Sequence, residues 1–148
     1  MGIKSNNTMP RTKKVPSKPK FTFTVGKRKE SIARIRLFAG KGETVVNSKP
    51  ISEYFPGEGA KVNYLQPFME TETLGKYFVT ARITGGGKAG QLAAFIHGVS
   101  RALAADNREK FRPVLKKKGL LTRDSRTRER RKVGMGGKAR RKRQSPKR

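Results

Sequence analysis

The residues with the clearest chemical potential are a glycine run, Gly85-Gly86-Gly87-Lys88-Ala89-Gly90. The run fits G-x-G-x-x-G and lies between a strand-like and a helix-like stretch, with Asp106 downstream. A dinucleotide fold would need a second parallel strand after the helix, with the acid at its end. Here Asp106 falls at the helix's own C-terminal end and a basic tail follows, so the dinucleotide reading fails. A Walker loop fails too, because Arg82 stands where its first glycine belongs and Ala89 follows Lys88 in place of Ser or Thr. Two readings remain. One is a tight strand-to-helix turn that needs positive φ. The other, preferred, is a phosphate site made by bare glycines, free helix N–H groups and Lys88.

Other catalytic options are thin. The chain has no Cys and a single His, so disulfides, thiolate nucleophiles and Cys-based zinc sites are excluded. His97 lies beside an apolar helical stripe and reads as a partly buried or interface residue, not a general base. Glu70 and Glu72 do not form a recognisable two-metal centre. No enzyme activity, cofactor, metal or small-molecule substrate is expected.

Cationic groups dominate instead. The 148 residues carry 37 Lys and Arg against 10 Asp and Glu, a net charge of +27. Such an imbalance implies a polyanionic partner. No run approaches a membrane span, and the N-terminus has no apolar signal core, so no membrane partner is expected. Gly26-Lys27-Arg28-Lys29 is a dense basic turn between two strands, and Arg34, Arg36 and Arg82 are expected to share a sheet face with it. Lys27, Arg28, Lys29, Arg34, Arg36 and Lys88 are therefore candidate phosphate contacts. Downstream, Arg123, Arg126, Arg128, Arg130, Arg131, Lys132, Lys138, Arg140 and Arg141 form an aromatic-free basic series, expected to meet phosphates.

The elements that must position these groups follow from periodicity. Phe21, Phe23 and Val25 alternate with threonines, Ala33, Ile35 and Leu37 with Arg34 and Arg36, and Tyr77, Val79, Ala81 and Ile83 with Thr80, Arg82 and Thr84. These are half-buried strands. Thr44-Val45-Val46 reads as another strand, and Pro50 to Phe55 as a short helical turn broken at 56–59. Ala89, Leu92, Ala93, Ile96, Val99 and Leu103 fit one buried helix face. A second helix is expected from about Asn107 to Lys118, weakened by Pro113. The fold class is α/β (α+β), a two-layer sandwich with helices on one face of a small sheet. Residues 1–20 carry six basic residues, three prolines and no acid, and read as a flexible arm. Residues 21–115, which hold all the aromatics, read as the globular domain, and 116–148 as an extended basic tail.

Together these blocks resemble small-subunit ribosomal protein nine (the S-nine family). The resemblance is carried by Gly26 to Lys29 with Ala33 to Leu37, by Val46-Asn47 before Tyr54-Phe55, and by Gly85-Gly86-Gly87 with Gly90-Gln91 and His97-Gly98. It continues in Arg101-Ala102-Leu103, in Gly119-Leu120-Leu121-Thr122-Arg123-Asp124 with Arg126, Glu129 and Arg130, and in Lys138-Ala139-Arg140 and Lys147-Arg148. It spans residues 21–148 and looks like the bacterial or organellar branch. It implies a domain like the second domain of ribosomal protein five, plus the tail. It implies binding to small-subunit ribosomal RNA in the head, beside neighbouring head proteins, on a cytoplasmic or organellar ribosome. It also implies that Lys147 and Arg148 reach tRNA in the peptidyl site. The family usually ends Gln-aromatic-Ser-Lys-Arg, whereas this chain ends Gln144-Ser145-Pro146-Lys147-Arg148. Two rival functions, a chromatin-type DNA compactor and an RNA-processing enzyme, explain the charge but not this ordered series of blocks.

Overall fold

The computed structural model describes residues 21–130. Alternation builds the strands β1 (Phe21–Arg28), β2 (Ser31–Ala39) and β5 (Tyr77–Thr84), with short β3 (Val45–Val46) and β4 (Lys49–Pro50) between them. The helices are α1 (Ile51–Tyr54), α2 (Glu58–Glu70), α3 (Lys88–Asp106) and α4 (Arg108–Lys117). The five strands form one sheet in the order β1-β2-β5-β3-β4. The β1–β2, β2–β5 and β3–β4 pairs are antiparallel, and β3 runs parallel to β5. The expected α+β architecture is therefore present.

The core lies between one sheet face and the helices. Ala33, Ile35 and Leu37 of β2 and Val79, Ala81 and Ile83 of β5 meet Phe95, Val99 and Leu103 of α3, all buried. Burial of each larger side chain contributes roughly 1.5–3 kcal/mol. The buried side of α3 is wider than the expected stripe. Phe95, Ala94 and Ala102 are fully buried, while Leu92 only flanks the core and Ala89 is exposed. The helix packs against the sheet and also against α2 and α4, so more than one stripe is covered.

Periodicity did not point to α2. Its buried residues are Tyr64, Pro67 and Phe68, a narrow i, i+3, i+4 set with Pro67 inside the helix. Helix α4 begins at Asn107, whose side chain accepts from the Lys110 N–H and caps it. The helix runs past residue 115 to Lys117, and Leu120 and Leu121 pack on the core beyond it. The division expected at 115/116 thus falls inside α4.

The largest difference concerns β1. Its aromatic side does not face the core: Phe21 and Phe23 are 44% and 53% exposed. Register fixes this, since Phe23 lies opposite Arg36 and Val25 opposite Arg34, on the face turned away from the helices. The helix side of β1 carries Thr22, Thr24 and Gly26 instead. A Cβ on Gly26 would stand 2.0 Å from the Ala94 carbonyl oxygen and 2.4 Å from the Gly98 nitrogen. Helix and strand approach so closely that only glycine fits, and the Thr24 hydroxyl donates to the Gly98 carbonyl at 2.8 Å.

Candidate nucleic-acid interface

Sequence reasoning placed the cationic groups of the hairpin and β2 on one face. The structure divides them. Strand alternation puts Lys27 with Phe23 and Val25 on the open face, where Arg34 and Arg36 also lie exposed. Arg82 of β5 stands directly opposite Arg34. Two like charges across a ladder repel each other, and neither forms an ion pair among the described residues. Lys29 sits at the hairpin tip with φ 50°.

Arg28 points to the other side. Its guanidinium lies 3.1 Å from the Asp124 carboxylate and donates to the Asp124 and Arg126 carbonyls. Arg126 in turn grips Asp124, its Nη2 standing 2.8 Å from Oδ2 and its backbone N–H donating to Oδ1 at 3.0 Å. These bonds from Arg126, with Arg28 adding its charge, hold the Asp124 carboxyl well below the usual carboxylate range. Arg28 and Arg126 therefore fasten the start of the basic tail. Arg123, Arg128 and Arg130 follow, exposed. Arg131, Lys132, Lys138, Arg140, Arg141, Lys147 and Arg148 lie outside the described residues, as does the arm at 1–20.

The glycine run has a structural basis of its own. Gly85 and Gly86 have φ of 76° and 64°. A Cβ on Gly85 would meet the Glu30 carbonyl oxygen at 2.3 Å, and one on Gly86 would meet Ser31 Oγ at 2.2 Å. A polar chain secures the turn. Asn47 receives the Ile83 N–H and donates to the Ile83 carbonyl, each at 2.9 Å, and donates to the Tyr54 hydroxyl. Tyr54 donates to Gln91, and the Gln91 amide donates to the Gly85 carbonyl. Lys88 bends back to the Tyr54 carbonyl at 3.1 Å and lies 3.6 Å from the Tyr54 ring centre. Its ammonium thus has partners within the fold, a cation–π contact among them.

His97 closes the free edge of β1. Its Nδ1 accepts the Lys27 N–H at 3.3 Å, and Arg101, four residues on, donates to the Val25 carbonyl. The two side chains occupy edge groups that a foreign strand would otherwise pair with. Burial first, then the Arg101 charge, pushes the imidazole pKa down from its usual 6.5, against a hydrogen bond with the Leu121 backbone. Sequence reasoning saw a partly buried histidine but had no signal for its strand partner. It also had no signal for the second arginine partner of Asp124, which required knowing that the hairpin and the tail meet.

Among the described residues no helix is long and apolar enough to cross a membrane. What the geometry presents is a small mixed α/β domain with a cationic, partly aromatic open sheet face and a fastened basic tail, the form of a nucleic-acid-binding module. Its relatives place it further. Residues 26–148 match the family model of ribosomal protein S9/S16, and the chain belongs to that family, one of structural ribosomal proteins and not of enzymes. It is 48% identical over 126 residues to the small ribosomal subunit protein uS9 of Rickettsia rickettsii (strain Sheila Smith), covering 85% of this chain and 78% of that one. It is 47% identical over 135 residues to the same-named protein of Rickettsia massiliae, covering 91% of this chain and 83% of that one.

Proposed function

We propose that this chain is a constituent of the small ribosomal subunit that binds ribosomal RNA in the subunit head, and that its C-terminal tail contacts tRNA in the peptidyl site. The observation that carries the RNA reading is the open sheet face. Arg34, Arg36 and Arg82 stand there without a carboxylate partner among the described residues, a cluster of like charges that an external polyanion would balance. The named relatives favour ribosomal RNA over DNA. The contacts of Arg28 and Arg126 with Asp124 fasten the root of the tail to the domain, which supports a tail presented from a fixed point. Its partners are then small-subunit RNA, peptidyl-site tRNA and adjacent head proteins, in the cytoplasm with the ribosomes. Salt-washed small subunits assembled with the tagged chain test the reading. Co-sedimentation that survives the wash is expected, and equal retention on random DNA at the same salt overturns it.

A further inference from the structure

The open face of the sheet holds one ring that the described chain leaves unused. Phe21 lies 5.5 Å from Phe38, and Arg36 sits over it at the same distance. Phe38 in turn stacks on Phe78 at 5.0 Å. Phe23, the next outward residue of β1, has no ring or cation partner of this kind among the described residues and is 53% exposed. It lines a concavity of about 780 Å³ with Arg34, Arg36, Arg82, Asn47 and Thr84. Among the described residues no acidic side chain lines this trough. The chain's own residues 1–20 are basic and carry no acid, so they do not complement it.

An exposed ring amid arginines selects among anions. A duplex offers its phosphates to the arginines and keeps its bases stacked on one another, leaving Phe23 in water. An acidic peptide likewise has no flat face to offer the ring. An unpaired nucleotide satisfies both features, because every base has a π-face that stacks on an aromatic side chain. We propose that this trough binds one unpaired RNA nucleotide, its base stacked on Phe23 and its flanking phosphates held by Arg34, Arg36 and Arg82. The proposal rests on the RNA-binding reading above and names the form of RNA that this face takes.

The test uses the full chain, with a short single-stranded RNA and an RNA duplex of equal length, compared by fluorescence anisotropy over a series of salt concentrations. Phe23→Ala removes the ring, Phe23→Leu removes only its π-face, and Phe23→Tyr keeps it. Thermal melting confirms that each variant is folded, which is expected because Phe23 packs no core. Ala and Leu should weaken single-strand binding roughly 5- to 150-fold, the range of one base–aromatic stack, and leave duplex binding unchanged. Tyr should bind as the parent does. Equal loss on both RNAs, or none, overturns the stacking. If Arg34→Gln with Arg82→Gln still weakens both RNAs while Phe23→Ala does nothing, the base contact is wrong and the RNA reading stands. If neither changes RNA binding, this face is not an RNA site and both fail. Polyglutamate bound as tightly as RNA, without regard to Phe23, overturns the nucleotide in favour of an acidic protein.

Discussion

Arg28, at the end of the first strand, and Asp124, seven residues past the last helix, lie 3.1 Å apart. This contact joins the basic hairpin to the point where the tail leaves the domain. Arg126 holds the same carboxylate, so one acid restrains two arginines. An arginine assigned to phosphate by its sequence neighbours thus has a carboxylate partner, and the tail's first residues take their course from the domain.

Replacing that acid should free the tail without unfolding the domain. Asp124→Asn keeps the shape and removes the charge. Amides from Thr122 to Arg126 should then exchange with solvent faster than in the parent, while those of the second strand keep their protection. Because the Asp124 carboxyl is held below its usual range, the stabilisation is present above the unfolded carboxylate value and is lost only as pH falls through the depressed one. The exchange pattern of the parent tail should therefore be flat between about pH 7 and 8, above the range in which His97 titrates, once the intrinsic rate is divided out. Unchanged exchange in the variant means the contact does not restrain the tail.

His97 should respond at lower pH, below 6.5. Its folded pKa is depressed below 6.5, so the unfolded chain takes up the proton more readily as pH drops. The stability it contributes is full above 6.5 and declines as pH falls below that value towards the folded one. Protonation at Nδ1 also removes the acceptor used by the Lys27 N–H. The other groups facing it are the Arg101 and Arg123 charges, both of which disfavour the imidazolium. As the chain has one His, the assignment is direct. The melting temperature of the full chain should be lower at pH 5.5 than at pH 7.5, and His97→Gln should remove most of that difference. An equal difference in both proteins would place the titration elsewhere.

One substitution at two glycines should give opposite signs. A Cβ on Gly26 meets backbone atoms of α3 that cannot move aside. Gly26→Ala should therefore destabilise by at least the ~1–3 kcal/mol typical of overpacking. Gly59 lies in α2 with nothing within 4 Å of its added Cβ. Gly59→Ala should stabilise by about 0.4–1 kcal/mol, by restricting the unfolded chain. Urea denaturation of the full-length variants measures both, and a neutral Gly26→Ala would mean that α3 can shift away from the first strand.

The strands, the main helix and the basic face were legible because each depends on a short period. Arg34 and Arg36 alternate with core residues, and no register was needed to place them outward. The orientation of Phe21 and Phe23 depends on which face of β1 the helix can approach, and that is set by Gly26 against Gly98 across 72 positions of sequence. Apolar periodicity assigned the wrong side because Gly26 and the threonines, not the rings, let α3 approach the strand, which leaves Phe21 and Phe23 turned outward. Helix α2 was missed because Pro67 interrupts a sparse pattern and its buried set is only three residues wide. The spacing of the glycine run reads as chemistry, whereas in the structure Gly85 packs against Glu30 and Gly86 against Ser31. Its φ values and close approaches account for Gly85 and Gly86 without a ligand.

The final prediction concerns the last two residues. Lys147 and Arg148 end a segment, 116–148, that carries 16 basic residues and 2 acids. Family resemblance assigns them to tRNA, and that assignment is separable from ribosome binding by arithmetic. Deleting both leaves fourteen of the sixteen cations, and backbone affinity scales with the number of phosphates neutralised. Assembly into small subunits should therefore persist. Each well-formed charged contact contributes on the order of 1.5–3 kcal/mol, less where salt screens it. Peptidyl-site tRNA should accordingly leave truncated subunits faster than full-length ones, with the gap widening at low salt. By the family resemblance Pro146 stands in the place of a Ser, so Pro146→Ser should leave the off-rate unchanged if the two cations alone hold the tRNA. Equal off-rates for full-length and truncated chains would remove tRNA from the list of partners and leave the tail as an RNA anchor within the subunit.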